Sequence, residues 1–280
     1  MKRKFSLAYL TLPGVDPINQ IRIAKETGYD YVGLRTIPMH LPSEPKFIMH
    51  EDRELFLATK QALQEYDIGL WDIELARIRP DLDINEYEPA FEAAAELGAT
   101  NVLSSVWTRD RSYYTQQTGY VAEMAGKYGL NLNMEFLPWA GVRNLQEAIT
   151  LVDHLHMSNV YIMLDTLHAG RAGVTAEELQ RTDPKYFQYV HMCDGPAGTN
   201  GDPVLNDIED ELMLHTARSA RLYPGEGVMD IAGMMKALPE LPVAIELPNL
   251  MRIQELGMAG HAKECLETTK SYFKLHGIPY

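Results

Sequence analysis

A chain of 280 residues, 46% apolar and 23% charged, has the composition of a globular protein and room for one large α/β domain or two small ones. Its formal net charge of -14 argues against a protein built to grip nucleic acid, because phosphate contacts need a basic face. No apolar run reaches the ~18–20 residues of a membrane span. The two cysteines, Cys193 and Cys265, make neither a disulfide framework nor a thiolate zinc site, so a reducing cytoplasm is the expected compartment.

The chain opens "MKRKFSLAYLTLPG", a basic start followed by a short apolar run that meets Pro13. It reads as a first strand, not as a signal peptide. From there short β-like runs alternate with amphipathic helices. The runs are 5–12, 29–37, 69–78, 101–107, 130–137, 159–167, 186–194 and 242–247. Helical periodicity covers 51–66, 86–97, 144–157 and 261–276, and Gly28, Gly98 and Gly129 stand where left-handed C-caps are expected. Eight strands alternating with helices predict a single-domain α/β protein, a (β/α)8 TIM barrel. An open doubly wound sheet would show a Gly-rich phosphate loop after its first strand, and "LTLPGVDP" has none.

"LNMEFLP" (132–138) and "VAIELP" (243–248) each place one glutamate in an apolar run that ends at a proline. An unpaired charge buried there costs several kcal/mol. The carboxyl ends of barrel strands form the active face. Strands 5 to 8 carry Glu135, Asp165 with His168, His191 with Asp194, and Glu246 with Asn249 at those ends. Three carboxylates so close cannot all stay ionised without a cation. One divalent metal held by Glu135, Asp165, His191 and Glu246 resolves the conflict. The oxygen-rich set favours Mn²⁺ or Mg²⁺, with Co²⁺ and Zn²⁺ also suited. Asp194 precedes Gly195-Pro196 and fits turn chemistry equally well. "PGEG" (224–227) reads as a turn, and Arg218 and Arg221 before it either hold an anionic substrate or sit on a solvated helix.

In "NMEFLP", "LDTLHA", "YVHMCD", "RLYPGEG" and "AIELP" the chain resembles the xylose isomerase-like TIM-barrel superfamily, in particular its sugar phosphate isomerase/epimerase members. The resemblance implies a single divalent ion, often Mn²⁺, at Glu135, Asp165, His191 and Glu246. It also implies that the two glutamates move protons and that His168 contacts substrate oxygens. One departure is that "HMCDGPAGTNG" lacks the arginine that ketose 3-epimerases carry a few residues after the strand-7 histidine. The superfamily's AP endonucleases need further histidines, and strands 3 and 4 end "ELARI" and "SSVW" without any.

The expected function is a metal-dependent sugar isomerase or epimerase. A Lewis-acidic metal lowers the pKa of the C–H beside a ketose carbonyl, and one of Glu135 and Glu246 removes the proton. The other returns it to the metal-stabilised enediolate. His168 orients substrate or shuttles protons. Arg35, Trp107 and Trp139 are candidate pocket walls, Glu74 and Arg221 further substrate contacts. Loss of a β-hydroxyl from the same start would make the enzyme a lyase or dehydratase of the 3-dehydroshikimate, inosose or C-glycoside-cleaving kind. A non-catalytic barrel needing a second subunit is the remaining alternative. The expected partner is a small sugar or keto-polyol, with no nucleic acid or membrane, and a homo-oligomer is compatible with the chain.

Overall fold

The eight apolar runs close into one parallel barrel, in the order of the chain, in a computed structural model that describes residues 2–41, 44–198 and 210–280. The strands are β1 (Phe5–Leu7), β2 (Tyr31–Arg35), β3 (Gly69–Ile78), β4 (Asn101–Val106), β5 (Asn131–Glu135), β6 (Val160–Asp165), β7 (Phe187–Met192) and β8 (Val243–Ile245). β1 pairs with both β2 and β8, so no strand edge is left open. The expected (β/α)8 barrel is thus the observed fold.

Helices α1 (Pro17–Thr27), α2 (Arg53–Tyr66), α3 (Glu88–Glu96), α4 (Arg111–Lys127) and α5 (Leu145–Leu155) follow the first five strands. α6 (Thr166–Arg171) and α7 (Ala176–Arg181) follow β6, α8 (Asp210–Ser219) and α9 (Ile231–Ala237) follow β7, and α10 (Leu250–His276) follows β8. Their starts are written in the sequence. Asp16, Asp52, Asp110 and Asn144 each accept a backbone N–H of the first turn, satisfying donors that helix geometry leaves open. Gly28 closes α1 at φ 93°, donating to Ala24 and Lys25, a conformation that costs a glycine little.

Two apolar layers hold the barrel. The larger lies between strands and helices and includes Phe5, Leu34, Ile73, Phe91, Val121, Leu132, Leu164 and Phe273. The smaller fills the barrel itself, with Ala8, Leu75, Leu103, Met163, Tyr189 and Ala244 among its members. Strand residues alternate between the two, which is why these strands read as continuous apolar runs.

Two boundaries differ from the sequence expectation by more than two residues. The first run ends as a strand at Leu7, and Tyr9–Thr11 turns as a 3-10 helix. There Thr11 donates its hydroxyl to the Ile245 carbonyl and accepts from the Leu247 N–H, tying the first turn to the end of β8. The last helix begins at Leu250 and not at 261, with a kink at Gly257, where φ 69° interrupts the apolar periodicity.

Candidate active site

Register brings the polar strand ends to one level. Asp165 pairs with His191, His191 with Ala244, and Ser105 with Glu135, while Glu246 follows directly on β8. One ligand atom from each of Glu135, Asp165, His191 and Glu246 lies within 4.8 Å of all the others, and all four side chains are buried. The sequence expectation placed these four together, and the fold does so.

Each is held in place by its element. Asp165 ends β6 and caps α6: its Oδ1 accepts from the N–H of Leu167 at 2.8 Å and of His168 at 3.0 Å. That fixes the carboxylate and leaves Oδ2 facing Arg221, whose Nη1 donates to it at 2.5 Å. The same guanidinium places Nη2 2.6 Å from Oε2 of Glu246 and donates from Nη1 to the Glu246 carbonyl at 3.1 Å. Nε of Arg221 donates to the Ala217 carbonyl at 2.8 Å. An arginine therefore does reach the site, from well beyond the segment after His191 where its absence was noted, the end of which (199–201) lies outside the described residues. Arg221 is buried among carboxylates, which removes the solvated-helix reading.

Asp194, open on sequence grounds, belongs to the loop and not to the cluster. Its oxygens accept from the N–H groups of Gly195, Gly225, Gly227 and Met229, pinning the "PGEG" turn beside Arg221. A carboxylate so fully occupied has little capacity left for a metal.

The electrostatics are those of a charge-crowded cavity. Burial, with Glu246 and Asp165 nearby, pushes the Glu135 carboxyl well above the usual range. Burial acts the same way on Glu246, but Arg221 and His191 overcome it and hold that carboxyl well below the usual range. Burial pushes His168 down to about 4, so its imidazole is neutral at physiological pH. Nε2 of His168 is 3.7 Å from Oε1 of Glu135, and its ring stands edge-on to Trp139 with centroids 5.0 Å apart. His191 approaches Oε2 of Glu246 at 3.3 Å through Nδ1, yet neither ring nitrogen makes a well-directed hydrogen bond among the described residues. Burial opposes it, but Glu246 and Glu135 push the His191 imidazole up to about 10, so without an ion the cluster holds this ring protonated. Three buried carboxylates, one of them unpaired by a cation, and an imidazole that would give up its proton on ligation form a donor set that fits a divalent ion.

Above the cluster opens a cavity lined by all the remaining candidates: Arg35, Glu74, Trp107, Trp139, His168 and Arg221. Arg35 and Glu74 are adjacent in register and bonded to each other at 2.7 Å, with Arg35 also 3.4 Å from Glu44. Burial pushes Glu74 up to about 7 against the pull of Arg35. Trp107 donates its indole N–H to Ser105 at 2.9 Å, while the indole nitrogen of Trp139 has no partner among the described residues.

Sequence reasoning missed Asp72 and Tyr189, beneath the cluster. The Tyr189 hydroxyl donates to Oδ2 of Asp72 at 2.9 Å, and the Tyr189 ring packs edge-on to His191. A Cβ at Gly33 would come within 2.3 Å of Oδ1 of Asp72, so the glycine makes room for this carboxyl. The signal was there: Asp72 and Glu74 are two apart on one strand and share a face.

A closed eight-strand barrel with a Glu-Asp-His-Glu cluster at the carboxyl ends of its strands is the architecture of a known family. The chain belongs to the xylose isomerase-like TIM barrel family, whose sequence profile matches residues 21–266. Among curated proteins it is 22% identical over 289 residues to the inosose isomerase of Bacillus velezensis, covering 94% of this chain and 95% of that one. It is 25% identical over 183 residues to the 3-dehydroshikimate dehydratase of Pseudomonas putida, a match covering 62% of this chain and 27% of the longer protein. Among solved structures, the IOLI protein with a binding zinc atom superposes with a TM-score of 0.76 at 20% identity, over 97% of this chain and 98% of that one. The D-allulose 3-epimerase of Methylomonas sp. in complex with D-allulose gives 0.67 at 17% identity, over 97% and 98% of the two chains. At these identities the superpositions establish the shared barrel.

Proposed function

We propose that this protein is a divalent-metal-dependent sugar isomerase or epimerase, removing a proton beside the carbonyl of a ketose, keto-sugar or related polyol. The observation that carries the reading is the convergence of Glu135, Asp165, His191 and Glu246 to within 4.8 Å at the mouth of the barrel. The isomerase and epimerase names of the matched relatives support it. These four residues would hold the ion. Bound there, it supplies Lewis-acid charge beside the carbonyl oxygen. Mn²⁺ suits the oxygen-rich donors best, and the zinc of the IOLI structure makes Zn²⁺ the next choice.

The protein's own groups divide the proton work. Arg221 and His191 keep Glu246 ionised and so able to accept a proton. Without the ion burial leaves Glu135 protonated; as a ligand it would be ionised and so able to take a proton and return it. Neutral His168, held edge-to-face with Trp139, orients substrate hydroxyls beside Glu135. Arg35, Glu74, Trp107 and Arg221 shape the rest of the cavity. Two buried free thiols support a cytoplasmic setting.

Dehydration is a second outcome of the same first step, and the match to a dehydratase favours keeping it. Water loss with a conjugated enone product would select it. The isomerase reading is tested by Glu246→Gln, which keeps size and a coordinating oxygen but cannot take a proton. Turnover should fall by ~10²–10⁴-fold with metal content unchanged. Near-wild-type turnover would limit Glu246 to ligation.

A further inference from the structure

Helix α8 closes one side of the cavity with Leu214, Ala217 and Arg218. The cavity's other two arginines are satisfied internally, Arg35 by Glu74 and Glu44, and Arg221 by Asp165 and Glu246. Arg218 makes no hydrogen bond or ion pair among the described residues. It is half-buried; burial lowers its pKa, and the charged neighbour it feels is another cation, Arg35. In a chain with 39 acidic and 25 basic residues, a guanidinium half withdrawn from water with no carboxylate partner among the described residues stands out. Such a group gains most from an oxyanion brought to it.

We propose that the substrate is a keto-polyol bearing a carboxylate, which Arg218 receives on the α8 side of the cavity while the carbonyl end lies toward Glu135 and Glu246. This rests on the isomerase reading and narrows it. One unpaired guanidinium offers one charge, in a planar fork that matches a carboxylate. A phosphate ester brings roughly -1.5 to -2. It would leave excess negative charge in a cavity that already presents Glu74, Glu135 and Glu246.

Calorimetric titration of the metal-loaded protein with gluconate, sorbitol and sorbitol 6-phosphate tests the proposal without requiring turnover. Gluconate should bind more tightly than either other compound. Arg218→Gln should weaken gluconate by about tenfold or more, and weaken it more than sorbitol. Arg218→Lys should keep part of the gluconate preference. Chelation of the ion by gluconate is common to both forms of the protein, so the Arg218→Gln difference isolates the guanidinium. Equal affinity for gluconate and sorbitol, no loss of gluconate binding in Arg218→Gln, a preference for the phosphate, or no binding of any of the three would overturn it. Deuterium exchange on neutral ketoses and on keto sugar acids separates the two failures. Exchange without a carboxylate preference overturns this inference and leaves the isomerase. A carboxylate preference without exchange on any ketone overturns the isomerase and leaves the oxyanion site.

Discussion

Arg221 and Asp165 form a buried ion pair, with Nη1 2.5 Å from Oδ2. The other arm of the same guanidinium lies 2.6 Å from Oε2 of Glu246, so one internal cation pairs with two of the proposed metal ligands and leaves one net negative charge between them. Against the burial that would raise all three carboxyls, Arg221 holds Asp165 down and, with His191, holds Glu246 down, while Glu135, beyond the reach of a direct pair, is left to burial.

Arg221→Met should therefore destabilise the metal-free protein by about 3–5 kcal/mol, the usual effect of leaving one side of a buried pair uncompensated. Added Mn²⁺ should recover part of the loss, because it supplies charge where the guanidinium did. Thermal melts with chelator and with Mn²⁺ measure both. A variant as stable as wild type in chelator would mean that the pair contributes nothing.

Asp72 predicts a pH dependence with a definite sign. Burial raises its carboxyl from 3.8 to about 6, with His191 and the Tyr189 hydroxyl opposing. The folded state then holds this proton more tightly than the unfolded chain, so the group's cost is full above about pH 6 and disappears as pH falls towards 4. Asp72→Asn keeps an acceptor for Tyr189 and removes that cost. It should stabilise the protein at about pH 8 by at most about 3 kcal/mol, with the gain vanishing near pH 4. Urea unfolding at the two pH values checks it, and a gain that is the same at both would locate the effect elsewhere.

Much of this was legible in the chain, for reasons particular residues make plain. Glu135 and Glu246 stood out because a lone carboxylate in an apolar run has few structural explanations. Asp165 and His191 followed from sharing a strand-end position, and register pairs them directly. Asp72 did not stand out, since strand 3 carries Trp71, Asp72 and Glu74 in close succession and reads as half-exposed. The pairing of Arg221 with two ligands was hidden by chain distance: the guanidinium enters from the end of α8, and only closure of the barrel brings it to β6 and β8. The start of α10 was masked by Gly257, whose kink breaks the apolar period.

The nucleic-acid chemistry found elsewhere on this barrel is not expected here. The one metal-suited group among the described residues has four members, and the net charge of -14 opposes duplex binding. A duplex carrying one abasic site should remain intact under conditions where a ketose panel is turned over. Efficient strand scission would reverse the assignment.

Proton abstraction beside a carbonyl is tested most directly by deuterium uptake. The protein, stripped with chelator and reloaded with Mn²⁺, would be incubated in D₂O with ketoses, inososes, 3-keto sugars and keto sugar acids, and each compound weighed by mass spectrometry. The expected result is one deuteron gained at the carbon next to the carbonyl of at least one compound, about one metal ion per chain, and loss of both in His191→Ala. A protein that binds no divalent ion, or that exchanges no proton on any of these ketones while its metal is in place, would contradict the proposed chemistry.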